Sequence, residues 1–174
     1  MLTFEAKLET PESREALLES ANAAILATVV SVGDGYLRGW TSDAEPTRDQ
    51  LIAESEKARY DIVVTVDKLY FLDDDSPFGL AEGEEVLTLM GGIFGDYLVD
   101  WGLPTPEAGK TYFFPLGEGA YEDGDEPAEI VPIVTNSAEV DGDGVLTPLC
   151  FDVVFDGCGT IDELADAIAG LNLK

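Results

Sequence analysis

The spacing of apolar and polar positions changes several times along the chain. Thr10-Pro11-Glu12 reads as a helix cap, a proline at the first helical position and an acidic first turn. Leu17, Leu18 and Ala21 follow on one face, so a helix is expected over about residues 11–22. From Ala23 the pattern becomes a β-branched run, AAILATVVSV, which stops at Gly33-Asp34-Gly35 and predicts a strand. A continuation from Tyr36 to Trp40 is compatible with the same pattern. Thr47-Arg48-Asp49-Gln50 is a capping box, with Leu51, Ile52, Ser55 and Ala58 at helical spacing behind it. That short helix reads as an insertion between strands.

Alternation then takes over. In YDIVVTVDKLYFL, Ile62, Val64 and Val66 share one face, while Asp61, Val63, Thr65 and Asp67 share the other, so a long strand is expected up to Asp73-Asp74-Asp75. Further strands are expected at Glu84–Met90, closed by Gly91-Gly92, and at Thr111–Leu116. The stretch between them, residues 93–109, reads as a glycine-rich aromatic loop. An acidic turn precedes a fifth strand at Ala128–Thr135, and Asp141-Gly142-Asp143-Gly144 turns into a run from Val145 to Phe155. Thr160-Ile161-Asp162-Glu163 is a second capping box, opening a helix to about residue 171 on an apolar face of Ile161, Leu164, Ala165, Ile168 and Leu171. Strands joined by short turns argue for an antiparallel sheet that closes. The expectation is a single mainly β domain over residues 1–174. It consists of a small five- to six-stranded OB-like barrel at about 24–155, with N- and C-terminal helices and one inserted helix.

Composition narrows the chemistry. The 174 residues hold 36 acidic and 9 basic side chains, no histidine, and a formal charge of −27. Such a charge repels phosphate backbones and anionic lipid, which argues against nucleic-acid partners and membrane docking. Without histidine there is no Ser-His-Asp or Cys-His catalysis and no His-ligated metal. With hydrophobic residues at 45%, the chain can still bury a core. No stretch approaches ~20 apolar residues, so no helical membrane span is expected. The N-terminus lacks the apolar segment of a secretory leader, so the chain is read either as cytoplasmic or as a mature sequence whose leader has been removed.

Individual motifs weaken on inspection. Gly109-Lys110-Thr111 ends like a phosphate-binding loop, but Pro104 stands where glycine is needed and an aromatic strand follows instead of a helix. A calcium loop starting at Asp141 finds Val145, Leu146 and Asp152 where it needs an acid or amide, glycine and glutamate. Hydrolysis by a carboxylate pair needs a fixed separation that the sequence does not single out. Cys150 and Cys158, spaced C-x7-C, form a disulfide if the chain turns back at Asp156-Gly157, and otherwise are two unrelated buried thiols. No cofactor, metal or catalytic residue is therefore expected.

The strand motifs carry a resemblance. Ala24–Val32, Tyr60–Leu69, Gly83–Gly92, Pro106–Leu116 and the Asp141–Gly144 turn resemble extracellular and cell-envelope bacterial and archaeal domains of unknown function. Those domains look like OB-type barrels, similar in outline to netrin-like and metalloproteinase-inhibitor modules. The inhibitor modules carry an N-terminal cysteine that reaches the target metal, and this sequence has none. The resemblance implies an extracytoplasmic, non-enzymatic binding domain.

Aromatic residues point to a recognition surface on such a domain. Trp40, Phe94, Tyr97 and Trp101 lie in the two segments that would sit beside the sheet, where Trp and Tyr make favourable contacts. The simpler reading is that they pack as a lid. The net charge favours a cationic protein or peptide, or a glycan, as partner. Two alternatives use the same composition: a cytoplasmic acidic regulatory or assembly subunit of a salt-loving organism, and a carboxylate-based hydrolase.

Overall fold

A computed structural model of the chain describes residues 2–3, 10–76, 79–94, 97–118, 129–171 and 173. The acidic turn expected before the fifth strand, the start of that strand at Ala128, and the side chains of Phe94 and Tyr97 lie outside the described residues. The fold is mainly β, with three α-helices. Its strands are β1 (Leu2–Thr3), β2 (Ala23–Val32), β3 (Tyr36–Leu37), β4 (Ala58–Leu72), β5 (Gly83–Met90), β6 (Gly92–Phe94), β7 (Tyr97–Asp100), β8 (Thr111–Glu118), β9 (Ile130–Pro132), β10 (Ala138–Val140) and β11 (Leu146–Pro148). The helices are α1 (Arg14–Ser20), α2 (Arg48–Ala53) and α3 (Ile161–Ala169).

Eight strands form one antiparallel sheet, ordered β11-β10-β8-β2-β4-β3, with β5 on the other side of β4 and β9 beside β8. A second, three-stranded sheet is ordered β1-β7-β6, with β1 parallel to β7. The expected five to six strands are therefore too few. The ladder is also not closed: β5 and β9 come into contact at the two edges, but no strand pairing joins them among the described residues.

The period-2 pattern of β4 is reproduced faithfully, with Ala58, Tyr60, Ile62, Val64 and Val66 buried on one face. β8 behaves differently because both of its faces are covered. Tyr112, Phe114 and Leu116 enter the main core with Ile25, Ile62 and Leu87. Phe113 enters a second core, roofed by Leu17 and Leu18 of α1 and by Leu164 and Ile168 of α3. A strand sandwiched in this way needs apolar side chains at consecutive positions, which is why Tyr112–Leu116 shows no alternation.

Elements with weak local signals are shorter than the pattern suggests. Helix α1 starts at Arg14 because Ser13, not Thr10, is its cap: the Ser13 hydroxyl accepts the Ala16 N–H at 3.0 Å. The continuation at Tyr36–Trp40 is only the two-residue β3. The run from Val145 to Phe155 is a strand only over Leu146–Pro148. Leu149 and Phe151 then donate to Ser137 and Thr135, and a 3-10 turn follows at Val153–Phe155. The segment at 128–135 is a strand only as far as Pro132 and turns at Val134–Asn136. The expected loop at 93–109 contains β6 and β7. The capping box at Thr47 sits where the sequence places it. At Thr160 the hydroxyl caps the Glu163 N–H but donates to the Glu163 carboxylate, and the reciprocal bond to the Thr160 N–H is not made. No described helix is long and apolar enough to cross a membrane.

Candidate functional site

The chain leaves β5 through Gly91 and Gly92, whose φ values of +104° and +139° lie where side chains are strained. This bend returns it as β6 against the segment after β2. Gly35 donates its N–H to the Ile93 carbonyl at 3.1 Å, and a Cβ on Gly92 would stand 2.5 Å from the Gly35 Cα. Only two glycines permit this approach, and it holds the small sheet beside one end of the large one.

A cavity of about 290 Å3 lies between them. Tyr60, Leu89 and Val134 line it from the main core, and Val99, Trp101 and Leu103 from β7 and the segment that follows. At its rim, Val32, Ile93 and Leu98 are exposed, Ile93 to 60%, although Ile93 and Leu98 face each other across the β6–β7 hairpin. The polar groups of the lining include Asp100, Thr105 and the Tyr60 hydroxyl. Burial pushes the Tyr60 phenol above its ordinary value, a Thr105 hydrogen bond opposes this, and the Asp100 charge adds to it. The phenol therefore stays protonated at neutral pH.

Across Ile93 lies a second, wider groove of about 630 Å3, lined by Tyr36, Leu37, Trp40, Pro46 and the carboxylates of Asp34, Asp43 and Glu45. The Trp40 indole N–H donates to the Ala44 carbonyl at 3.0 Å and so fixes the loop that makes its wall. Trp40 and Trp101 both pack on one small cluster of Leu37, Leu51, Ala58 and Val99. The structure thus brings two of the four nominated aromatics together and gives each a different concavity to line. For Phe94 and Tyr97, the described backbone pairs them across the hairpin.

Beside this groove, on the outer face of the sheet, the Tyr36 hydroxyl donates to Asp61 Oδ1 at 2.8 Å, and Thr88 Oγ1 donates to the same oxygen at 3.1 Å. Burial, the hydrogen bond to Asp61 and the charges of Asp61 and Glu129 push the Tyr36 phenol up to about 12, against a smaller opposing Thr88 bond. The folded chain keeps this proton where the unfolded chain, titrating near 10, gives it up. The contribution to stability is therefore full below about pH 10 and lost as the pH climbs through about 12. Tyr70 is also pushed up to about 12, chiefly by burial. In an alkaline absorbance titration, Tyr36→Phe should remove amplitude near pH 12; loss of amplitude near pH 10 instead would contradict the Asp61 contact.

The remaining candidates are placed elsewhere. Cys150 is an exposed free thiol and Cys158 a half-buried one. Arg14 of α1 donates to the carbonyls of Val154 and Asp156 and to Cys158 Sγ at 3.3 Å, which ties the helix to the 153–158 turn. Among the described residues, no three carboxylates or thiols converge closely enough to hold a metal ion. In the Asp141–Gly144 turn, Asp141 Oδ1 accepts the N–H groups of Asp143 and Val145, each at 2.9 Å, so that carboxylate organises the turn itself.

Sequence reasoning missed the cavity's rim. The sequence pattern places Val32 at a strand end and Ile93 and Leu98 in a loop. Comparison with protein families and with curated proteins found no match for this chain.

Proposed function

We propose that this chain is a non-enzymatic binding domain that seats an apolar side chain of a partner protein or peptide in the cavity beside the β6–β7 hairpin. The observation that carries this reading is the cavity with its uncovered rim. Its volume of about 290 Å3 is near the lower end of ligand pockets, and Val32, Ile93 and Leu98 remain in water around it. Apolar side chains grouped at the mouth of an apolar cavity mark an interaction site. A polypeptide suits these walls better than a glycan, because few polar groups stand ready to pair with sugar hydroxyls.

An OB-like barrel is the architecture this reading favours, since the loops beside one end of such a barrel commonly carry the ligand contacts. The contact between β5 and β9 supports that outline, as does the strand pattern of the sequence. Binding is favoured over catalysis by the described lining: it contains no basic side chain, and the one carboxylate among its described residues is Asp100, whose Oδ1 accepts the Gly102 N–H at 2.8 Å.

The neutral apolar dye N-phenyl-1-naphthylamine tests the site without the repulsion an anionic dye would meet. Saturable fluorescence enhancement is expected with the natural chain. Leu98→Glu or Val32→Glu, both at exposed positions, should weaken it about tenfold or more, because each puts a charge against the apolar occupant. An unchanged titration in both variants, or no saturable binding at all, would sink the reading.

A further inference from the structure

The groove across Ile93 differs from the cavity in its charge. Its apolar floor and walls include Tyr36, Leu37, Trp40 and Ile93, and its carboxylates are Asp34, Asp43 and Glu45; the described lining has no lysine or arginine. Ile93 belongs to both concavities, so they are neighbours on one surface. We infer that this groove takes a lysine or arginine side chain of the same partner polypeptide whose apolar side chain fills the cavity. The inference rests on the binding reading above and names the chemistry of the partner: an extended segment with an apolar anchor and a cation a short distance away.

Three arguments single out that occupant. Long cationic side chains have an apolar stem and a charged head, which matches an apolar groove edged by carboxylates. Trp and Tyr attract cations through the faces of their rings. A second copy of the chain is a poor occupant, since each copy carries a charge of −27.

Five of the chain's nine basic side chains are engaged elsewhere. Arg14 is held by backbone carbonyls, Arg38 and Arg59 by Glu129, Lys57 by Glu54, and Lys110 by Glu107 and Glu139. Arg48 and Lys68, the other described basic residues, do not line the groove.

A panel of acetylated peptide amides tests this, each with one leucine and one arginine separated by zero to three glycines, against the same peptides with neutral citrulline in place of arginine. Binding is measured by calorimetry at low salt. In the natural chain, the best arginine peptide should bind about tenfold more tightly than its citrulline twin, with most of the difference screened at high salt. The double variant Asp43→Asn, Glu45→Gln should bring that ratio close to one. The control Glu19→Gln, Glu84→Gln, Asp166→Asn removes three exposed charges that line neither concavity and should preserve it.

A ratio that survives in the groove variant, or that falls equally in the control, overturns the inference in favour of the chain's overall field. Absence of binding by every peptide overturns it as well. The cavity reading fails separately, through the neutral dye and Leu98→Glu, neither of which depends on the groove's carboxylates.

Discussion

Phe113→Ala is expected to lower the folding free energy by about 4 kcal/mol, the range for deleting a fully buried aromatic ring. The side chain is completely inaccessible. Its ring stands edge-on to Phe155 with centroids 5.8 Å apart and is tilted against Tyr70 at 6.2 Å. It is the point at which β8 engages the roof made by α1, α3 and the 3-10 turn at Val153–Phe155. Alanine would forfeit the transfer energy of the ring and leave a void that two helices and a strand can only partly close. Set against a total stability of ~5–15 kcal/mol for an ordinary domain, the change is large. Denaturant unfolding should show a lower midpoint with an unchanged slope. Phe113→Leu, which retains most of the volume, should cost less than half as much. A loss below about 1 kcal/mol for the alanine variant would mean that the helical roof does not pack on β8 cooperatively.

Glu129→Ala is expected to cost about 3 kcal/mol, for an electrostatic reason. Glu129 leads into β9, and its carboxylate meets Arg38 Nε at 3.4 Å and Arg59 Nε at 3.3 Å. All three side chains are only 12–13% exposed. Arg59 also donates to the Glu56 and Ala58 carbonyls, which fixes its position at the start of β4. Removing the carboxylate takes away the counter-charge that two largely buried guanidiniums share, which costs more than losing an exposed ion pair. Arg59→Met in the Glu129→Ala background should therefore recover part of the stability, as a double-mutant cycle would register. Hydrogen exchange should quicken most along β9 and the paired ends of β3 and β4, the segments that this ion cluster links. If Glu129→Ala unfolds like the natural chain and the cycle shows no coupling, the cluster is a solvated surface contact.

Much of the secondary structure could be read locally. The alternation in Tyr60–Leu72 predicts both β4 and the face it buries, because one side of that strand meets the core and the other meets solvent. Thr47 and Thr160 mark two helix starts because their cap hydrogen bonds reach only three residues ahead. The hairpin of β6 and β7 went unread, although Ile93-Phe94 and Tyr97-Leu98 flank a Gly-Asp pair, a recognised hairpin pattern. The surrounding glycines and prolines made the whole stretch resemble a loop. The reading of Val145–Phe155 as one strand failed because apolar runs do not say whether they pair in a ladder or pack beneath helices.

The candidate site was legible only in part. Trp40 and Trp101 are named by residue type, and both do line concavities. The residues that line the cavity with Trp101 lie far away in sequence: Val32 from β2, Tyr60 from β4, Val134 beyond β9. No local pattern joins them, since they meet only after β5 bends back at Gly91-Gly92 and β6 closes on Gly35. The same is true of Glu129, one of 36 acidic residues. Nothing in its immediate neighbourhood distinguishes it from the solvated ones.

The mainly β class, the placement of the long strands and of the helices capped at Thr47 and Thr160, and the net charge of −27 are legible in the chain alone. Each of these follows from short-range stereochemistry or from a sum over residues. How many strands join which sheet, where the two concavities lie, and which carboxylate is buried between arginines emerge from the folded chain. Those depend on contacts between residues tens of positions apart, whose burial and spacing are set by the packing of the whole chain.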